Sequence, residues 1–465
     1  MTLRSCKTSR APRVFLGTVE IAGFYGELAA GLRELGIDCA FVELTRNRFS
    51  YAVDSFRLPI FVRWVRGLAA SVDALLNRPA PARMRARLLH RFMYFLRVVT
   101  VLPWAIFRFD VFCFGFLSNI VGDRFGYWDL AVLRALGKRV ICVFHGADSR
   151  PPYLTGPYVR LMRARGEDWA LDLCRMARER KRKIAALDRL ADVVVDGPAR
   201  GHFHEKRYVA FPKIGLPVPA ATLDLQPPLT CAHHRAGATR ILHAPSDRGA
   251  KGSDVIGDCI KALRQKGHDI DYVELSGVPH DEVLRQIAEC DLVIDQIYAD
   301  GAMAGLATEA AALGKPSIVC GYFDDRRWIE GIPTHYCHPD GLEASVVRMV
   351  SEPEYRHELG ARARDYVRTV RSRRAVAERM FRVITGSIPD DWWLDPAETT
   401  YLRGGGQSED ELKDAIRTLV DRCGASALQL DDKPALRRRM LSLIDKRPAA
   451  GPAGDKGNAD GLSHR

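Results

Sequence analysis

The stretch Asp295-Gln-Ile-Tyr-Ala-Asp-Gly-Ala-Met-Ala-Gly-Leu-Ala-Thr-Glu309-Ala-Ala-Ala-Leu-Gly314-Lys-Pro-Ser-Ile-Val-Cys320 decides the fold. The apolar run Leu292-Val-Ile294 leads into it and ends at a polar pair, Asp295-Gln296. A small-residue loop with glycines at 301 and 305 follows, then an alanine-rich helical stretch carrying one glutamate, Glu309. Gly314-Lys-Pro316 stops that helix, because glycine closes a helix end and proline cannot continue it. Ser317 to Cys320 reads as a second buried strand. Strand, tight loop, helix and strand make one parallel crossover unit whose helix start suits an anionic ligand.

The same rhythm surrounds it. Thr239 to Ser246 reads as a strand, Asp247-Arg-Gly-Ala-Lys-Gly252 as a basic loop, Asp254 to Lys266 as a helix, Asp271 to Leu275 as a strand and Asp281 to Glu289 as a helix. The N-terminal half repeats it. Val14-Phe-Leu-Gly17 reads as a strand ending in glycine, Glu27 to Leu35 as a helix and Ala40 to Leu44 as a strand. Asp110 to Phe114, a helix around Trp128 to Leu136, and Arg139-Val-Ile-Cys-Val-Phe-His145-Gly-Ala-Asp148-Ser-Arg150 continue the series. His-Gly-x-Asp after a buried strand puts polar side chains at a sheet's carboxyl edge, where open α/β sheets bind ligands. A long helix from Trp169 to Leu190 carries the run Arg178-Glu-Arg-Lys-Arg-Lys183, read as a solvated face, and Asp192 to Asp196 is a further strand. Prolines at 198, 212, 217, 219, 227 and 228 mark 197 to 237 as closing loops and a linker.

Residues 57 to 108 break the pattern. Ten arginines alternate there with bulky groups such as Phe61, Trp64, Phe92, Phe95 and Trp104, and Asp73 is the single acid. Two readings stand: a basic amphipathic surface resting on anionic lipid, or helices whose arginines face water and whose aromatics face the core.

The expected fold is therefore α/β, two doubly wound Rossmann-like domains facing across a cleft, with a C-terminal helical extension. The divisions are 1–215 for the first domain, 216–385 for the second, 386–446 for the extension and 447–465 for a Gly/Pro/Ala-rich disordered tail. Hydrophobic residues make up 47% and charged residues 27% of the 465, a globular balance. The formal charge of +12 points to an anionic partner without choosing among nucleotide, nucleic acid and membrane. Eleven cysteines without a CxxC pair indicate a reducing compartment. With a polar N-terminus and no spanning apolar stretch, a cytoplasmic location is expected, with the inner membrane face as a peripheral site.

Ser246-Asp-Arg248-Gly-Ala-Lys251-Gly252 places a guanidinium and an ammonium three residues apart, able to neutralise two phosphates of one diphosphate; alone it reads as an ordinary basic loop, and the second phosphate-suited loop at 301 to 305 favours the diphosphate. The series Leu242-His-Ala-Pro-Ser246, Lys251-Gly252, Asp291-Leu-Val-Ile-Asp295-Gln296, Gly301, Glu309-Ala and Gly314-Lys-Pro316 resembles the donor-binding half of GT-B glycosyltransferases of the retaining family 4. Leu136-Gly-Lys138 with Phe144-His-Gly-Ala-Asp148-Ser-Arg150 is similar to their acceptor half. The resemblance implies a hexosyltransferase-type enzyme of polysaccharide biosynthesis. It would move a sugar from a nucleotide-diphosphate sugar to a glycan or lipid-linked acceptor, without cofactor or metal.

Carried over, the resemblance makes His145, Arg248 and Lys251 the catalytic groups. Gly17, Ser246, Asp295, Gly301, Gly305 and Glu309 join Arg248 and Lys251 in holding the donor, with Glu309 on the ribose hydroxyls. The family's second glutamate, eight positions before Glu309, is Gly301 here, with Asp300 beside it. A non-catalytic GT-B-like protein that binds a glycan or nucleotide is therefore the alternative. Asp269-Ile-Asp271 precedes a strand and is not read as a metal motif, and His335-Tyr-Cys337-His338 is read as a loop. No GxSxG, GxxxxGK[ST] or HExxH occurs, and no nucleic-acid motif is present.

Overall fold

The computed structural model describes residues 11–45, 58–76, 89, 91–122, 126–225 and 237–445. The expected tail, the middle of the expected linker and residues 77 to 88 of the arginine-rich segment lie outside the described residues.

Strands β1 (Val14–Val19), β2 (Cys39–Thr45), β3 (Val111–Gly115), β4 (Arg139–Val143), β5 (Val193–Asp196) and β6 (Tyr208–Ala210) belong to one sheet. β7 (Thr239–His243), β8 (Ile270–Glu274), β9 (Leu292–Ala299), β10 (Ser317–Gly321) and β11 (His335–Cys337) form a second. The orders are β12-β6-β5-β4-β3-β1-β2 and β11-β10-β9-β7-β8, where β12 is Trp393–Leu394. Every pairing is parallel except β12 on β6. All residues of β3, β5 and β10 are buried, which is why these strands read as unbroken apolar runs rather than as alternation. The expected architecture of two doubly wound α/β halves is what the chain forms.

Several local expectations are corrected. β1 passes through Gly17 and ends at Val19. The region expected as closing loops holds β6, which adds a strand to the first sheet. His335 to Cys337 is a strand, not a loop, and pairs with β10. The extension is not purely helical, since it contributes β12. Within the supposed solvated run, Arg180 bonds the Ala147 carbonyl and Lys181 pairs with Asp432 at 2.7 Å, so the run ties the His145 loop and the extension to one helix.

The first sheet is filled on one face by aromatic side chains. The Phe15 ring lies 5.4 Å from Phe112 and 5.6 Å from Phe109. On the other face Leu16, Phe24 and Leu28 pack with Val376 and Met380 of the helix Arg373–Thr385, which returns from the second half. That contact is close. A Cβ on Gly31 would stand 2.2 Å from the Arg373 carbonyl oxygen, so only glycine permits it.

The aromatic segment turns some apolar side chains to the core and leaves others exposed. In the helix Ile60–Leu76, Val62, Val65 and Ala69 face the core, while Ile60 and Trp64 are 70% and 78% exposed. Phe92, Phe95 and Phe107 are also exposed, Phe107 by 82%. The arginines, by contrast, partly turn inward. Arg97 is buried and donates to the Leu44 carbonyl at 2.6 Å, and Arg66 pairs with Glu43 at 2.6 Å.

The two halves are joined by Gly404-Gly-Gly406, whose φ angles of +80°, +67° and +75° are left-handed throughout. The Gly405 carbonyl accepts from the Gly156 N–H at 2.8 Å, and its N–H donates to Asp300 at 3.0 Å. Asp300 also pairs with Arg150, so one carboxylate of the second half holds both the first half and the extension. A Cβ at residue 405 would sit 1.9 Å from the Leu154 carbonyl. Gly405→Ala should therefore lose at least about 2 kcal/mol, through left-handed strain and the displaced carbonyl. Thermal unfolding checks this, and an unchanged midpoint would show that the strap bears no structural load.

Candidate active site

β9 ends its apolar run at Asp295, whose side chain is fully buried. One carboxylate oxygen accepts from Lys251 Nζ at 2.7 Å, and Gln296 Oε1 takes a second Lys251 hydrogen bond at 3.0 Å. The other oxygen, Oδ2, is buried without a hydrogen-bond partner among the described residues. An uncompensated buried acceptor is costly, which makes the contact with Lys251 structurally necessary. An ammonium group has three N–H donors, which leaves one of Lys251 for a ligand.

Lys251 reaches this point because 248 to 251 form a helical turn rather than the expected loop. Asp247 caps the turn by accepting the Ala250 N–H at 2.9 Å. Gly252 then adopts φ +72°, and the chain redirects into the helix Ser253–Gln265. Beneath it, His243 is buried, with Nδ1 on the Ile294 carbonyl and Nε2 on Ser253 Oγ, each at 2.8 Å. Burial holds its imidazole below the usual value, favouring the neutral ring. Arg248 points outward, half exposed, and is shared by Asp254 at 2.9 Å and by Glu274. Both expected phosphate cations are thus held by carboxylates of their own domain.

Glu309 lies one turn inside the helix Gly305–Ala312, which follows β9. Burial, then the charge of Asp295, raises its carboxyl to about 7, against a counter-effect from Lys251. His280 Nε2 lies 3.7 Å from it. The structure therefore groups Lys251, Asp295 and Glu309, with Arg248 on the same edge, Gly301 on the intervening loop and Gly305 at the start of the helix. Ser246 is exposed on the β7 loop. Neither Gly301 nor Gly305 has any atom within 4 Å of the place a Cβ would take. A Cβ at either position would therefore meet open space.

In the first half, His145 follows β4. Its loop is fixed by Asp148, which accepts the His145 and Gly146 N–H groups at 2.9 and 2.7 Å. The ring packs edge-on to Phe24, Tyr25 and Phe211, and Nε2 lies 3.0 Å from the Tyr25 hydroxyl. Burial, reinforced by the Arg200 charge, lowers its pKa to about 3. His145 is therefore neutral near pH 7, a hydrogen-bonding group and not a store of positive charge. Gly17 lies within β1 and approaches the Val42 carbonyl so closely that a Cβ would meet its oxygen at 2.5 Å, so here glycine serves packing against β2.

Several groups escaped the sequence reading. Glu20, just past β1, accepts the N–H groups of Ile21, Tyr25 and Gly26 at 2.7, 3.1 and 2.9 Å. Burial raises it to about 7. Its signal was an acid between a strand and a helix start. Asp196, at the end of β5, bonds Arg200 at 2.9 Å and His204 at 3.0 Å. Burial opposes its ionisation, but Arg200 and His204 outweigh this and hold it below the usual carboxylate value. Among the described residues, no group of three or more His, Cys, Asp or Glu is placed to hold a metal ion. A cavity of about 580 Å³ lies elsewhere, at the ends of β10 and β11, lined by Tyr322, Tyr336, Cys337, His338 and Arg403 among others.

The Glu309 carboxyl has a stability signature. Folded, it keeps its proton up to about pH 7, whereas unfolded it releases it near 4.5. Its stabilising protonated form is complete below 4.5, and stability falls as pH rises towards 7, to a penalty on the order of 3 kcal/mol. Glu309→Gln should thus melt above wild type at pH 8 and level with it at pH 4.5. Equal melting points at pH 8 would refute the raised carboxyl.

No family model matches the chain, and no curated protein sequence matches it. Among solved structures it is similar to HepE of Anabaena in complex with UDP and glucose, at 11% identity over 81% of this chain and 100% of that one, with a TM-score of 0.43. It is similar to a glycosyltransferase from Rickettsia africae, at 11% identity over 82% and 100% of the two chains, with a TM-score of 0.46. It is also similar to WaaG, a glycosyltransferase involved in lipopolysaccharide biosynthesis, at 13% identity over 80% and 99%, with a TM-score of 0.37. Values this low carry no argument about activity, and the functional reading rests on this chain's own residues.

Proposed function

We propose that the chain is a retaining, metal-independent glycosyltransferase of the GT-B family 4 type. It would transfer a hexose from a nucleotide-diphosphate sugar to a glycan or lipid-linked acceptor. The observation that carries this reading is the grouping of Lys251, Asp295 and Glu309 at the carboxyl edge of the second sheet, beside a helix start at Gly305. The remaining Lys251 N–H and the Arg248 guanidinium would bind the diphosphate, with amides at Gly301 and Gly305 adding hydrogen bonds. As the bond to the sugar breaks, negative charge grows on the departing phosphate, and cations already fixed in place stabilise it without reorganising. Glu309, once ionised, would accept from the ribose hydroxyls. Neutral His145 would hydrogen-bond the transferred sugar from the first half.

Binding follows from the charge state of Glu309. Affinity for a nucleotide-diphosphate sugar should rise several-fold from pH 6 to pH 8, because the ionised carboxyl is the acceptor. Glu309→Gln should flatten that rise, and Lys251→Ala should weaken binding about tenfold or more at both pH values. Calorimetric titration with UDP, GDP and ADP sugars tests this, since their phosphates do not titrate in this range. No saturable binding to any of them would refute the donor site. Binding without transfer or donor hydrolysis would support the non-catalytic alternative.

The acceptor and location belong to the same proposal. The exposed side chains of Ile60, Trp64, Phe92, Phe95 and Phe107 belong to a segment with ten arginines and one acid, which suits an anionic bilayer surface bearing a lipid-linked acceptor. The location would then be cytoplasmic, on the inner face of a membrane. No described helix is long and apolar enough to cross one. Co-sedimentation should show retention on phosphatidylglycerol vesicles but not on phosphatidylcholine vesicles. Replacing Trp64 and Phe107 together by alanine should reduce retention at least about tenfold. Equal retention on both vesicle types, or no effect of the double change, would contradict the membrane face.

A further inference from the structure

β10 and β11 are parallel neighbours, and Cys320 faces Cys337 in register. Their Sγ atoms are 3.3 Å apart, inside ordinary sulfur–sulfur contact. Adjacent strands stand about 4.8 Å apart, within the Cα range a disulfide spans. Both cysteines are free thiols. Cys320 is buried in the core behind β10, whereas Cys337 is half-buried and lines the 580 Å³ cavity. A packed pair of small hydrophobes would account for their burial. It does not account for one member opening onto a cavity with its partner in bonding reach behind it.

The geometry points to a redox-modification site: Cys337 and Cys320 form a reversible disulfide with a small-molecule disulfide such as oxidised glutathione. Cys337 is the entry thiol. The hydrogen bond with Cys320 holds it below the usual thiol value against burial. Cys320 is pushed up, first by that same hydrogen bond and then by burial, so it acts second. The Cys337 thiolate attacks one sulfur of oxidised glutathione, forming a mixed disulfide and releasing one glutathione thiolate, which takes up the Cys337 proton. Cys320 then loses its proton and attacks Cys337 Sγ, expelling the second glutathione, which takes up that proton. Two protein thiols are oxidised to one disulfide, and one glutathione disulfide is reduced to two thiols. The bond would staple the short edge strand β11 to β10 beside the cavity. It involves none of the residues assigned to the donor site.

The test uses the full chain, equilibrated in oxidised glutathione, quenched in acid, unfolded, alkylated and mapped by peptide mass. The expected result is one linked peptide pair, Cys320 with Cys337, lighter by two hydrogens and lost on reduction with dithiothreitol. Cys320→Ser should stop at the first step, leaving Cys337 carrying one glutathione. Cys337→Ser should leave Cys320 unmodified. The inference is overturned if Cys320 and Cys337 both remain alkylatable in the wild-type chain. It is equally overturned if another pair, such as Cys174 with Cys423, forms while this one does not.

Discussion

A carboxylate shut away from water governs the second half. Asp295 is fully buried within β9, where the strand's first apolar run stops, and among the described residues it has one hydrogen-bond partner, the Lys251 ammonium, for one of its two oxygens. A buried charge of this kind persists only while its counter-ion stays in place, and removing one member leaves the other uncompensated. Lys251 is therefore committed to one position, and with it the turn 248 to 251, the left-handed Gly252 and the start of the next helix. Burial, and then the Asp295 charge, raises Glu309, so this edge holds a cation, a carboxylate and a carboxyl that changes state near neutral pH.

The first half is set against that edge by a second charge pair, of a buried arginine with a partly buried aspartate. Arg150 meets Asp300, and Asp300 also takes the Gly405 N–H. Arg150 lies on the segment that carries His145 and Asp148, so the clasp between halves and the candidate sugar-facing histidine share one stretch of chain. Asp300 is thereby engaged in holding the halves. It does not stand in for the glutamate that the family resemblance would place at Gly301.

Much of the architecture was legible in the sequence because strands covered on both faces leave continuous apolar runs. β3, β4, β5, β9 and β10 are of this kind. β6, β11 and β12 were missed because strands of two or three residues, β11 and β12 at sheet edges, leave no such run. Lys251, Asp295 and Glu309 were legible as residue types around two phosphate-suited loops. Their mutual pairing was not, since it depends on a turn that brings Lys251 back onto β9. The aromatic segment shows a limit of periodicity: Trp64 and Val65 are neighbours on one helix, and only the packing tells which faces out. Arg150 and Asp300 are too far apart in sequence for any local pattern to pair them. The three glycines at 404 to 406 were visible, but the carbonyl pressing on residue 405 was not.

The most direct test of the donor-site assignment is hydrogen–deuterium exchange with and without UDP and its sugar conjugates, or the matching GDP and ADP compounds. The account predicts that one nucleotide series slows exchange in 246 to 252 and 301 to 309 together, and that Lys251→Ala removes both effects. Slowed exchange confined to the cavity at β10 and β11, or to one of the two segments alone, would contradict it.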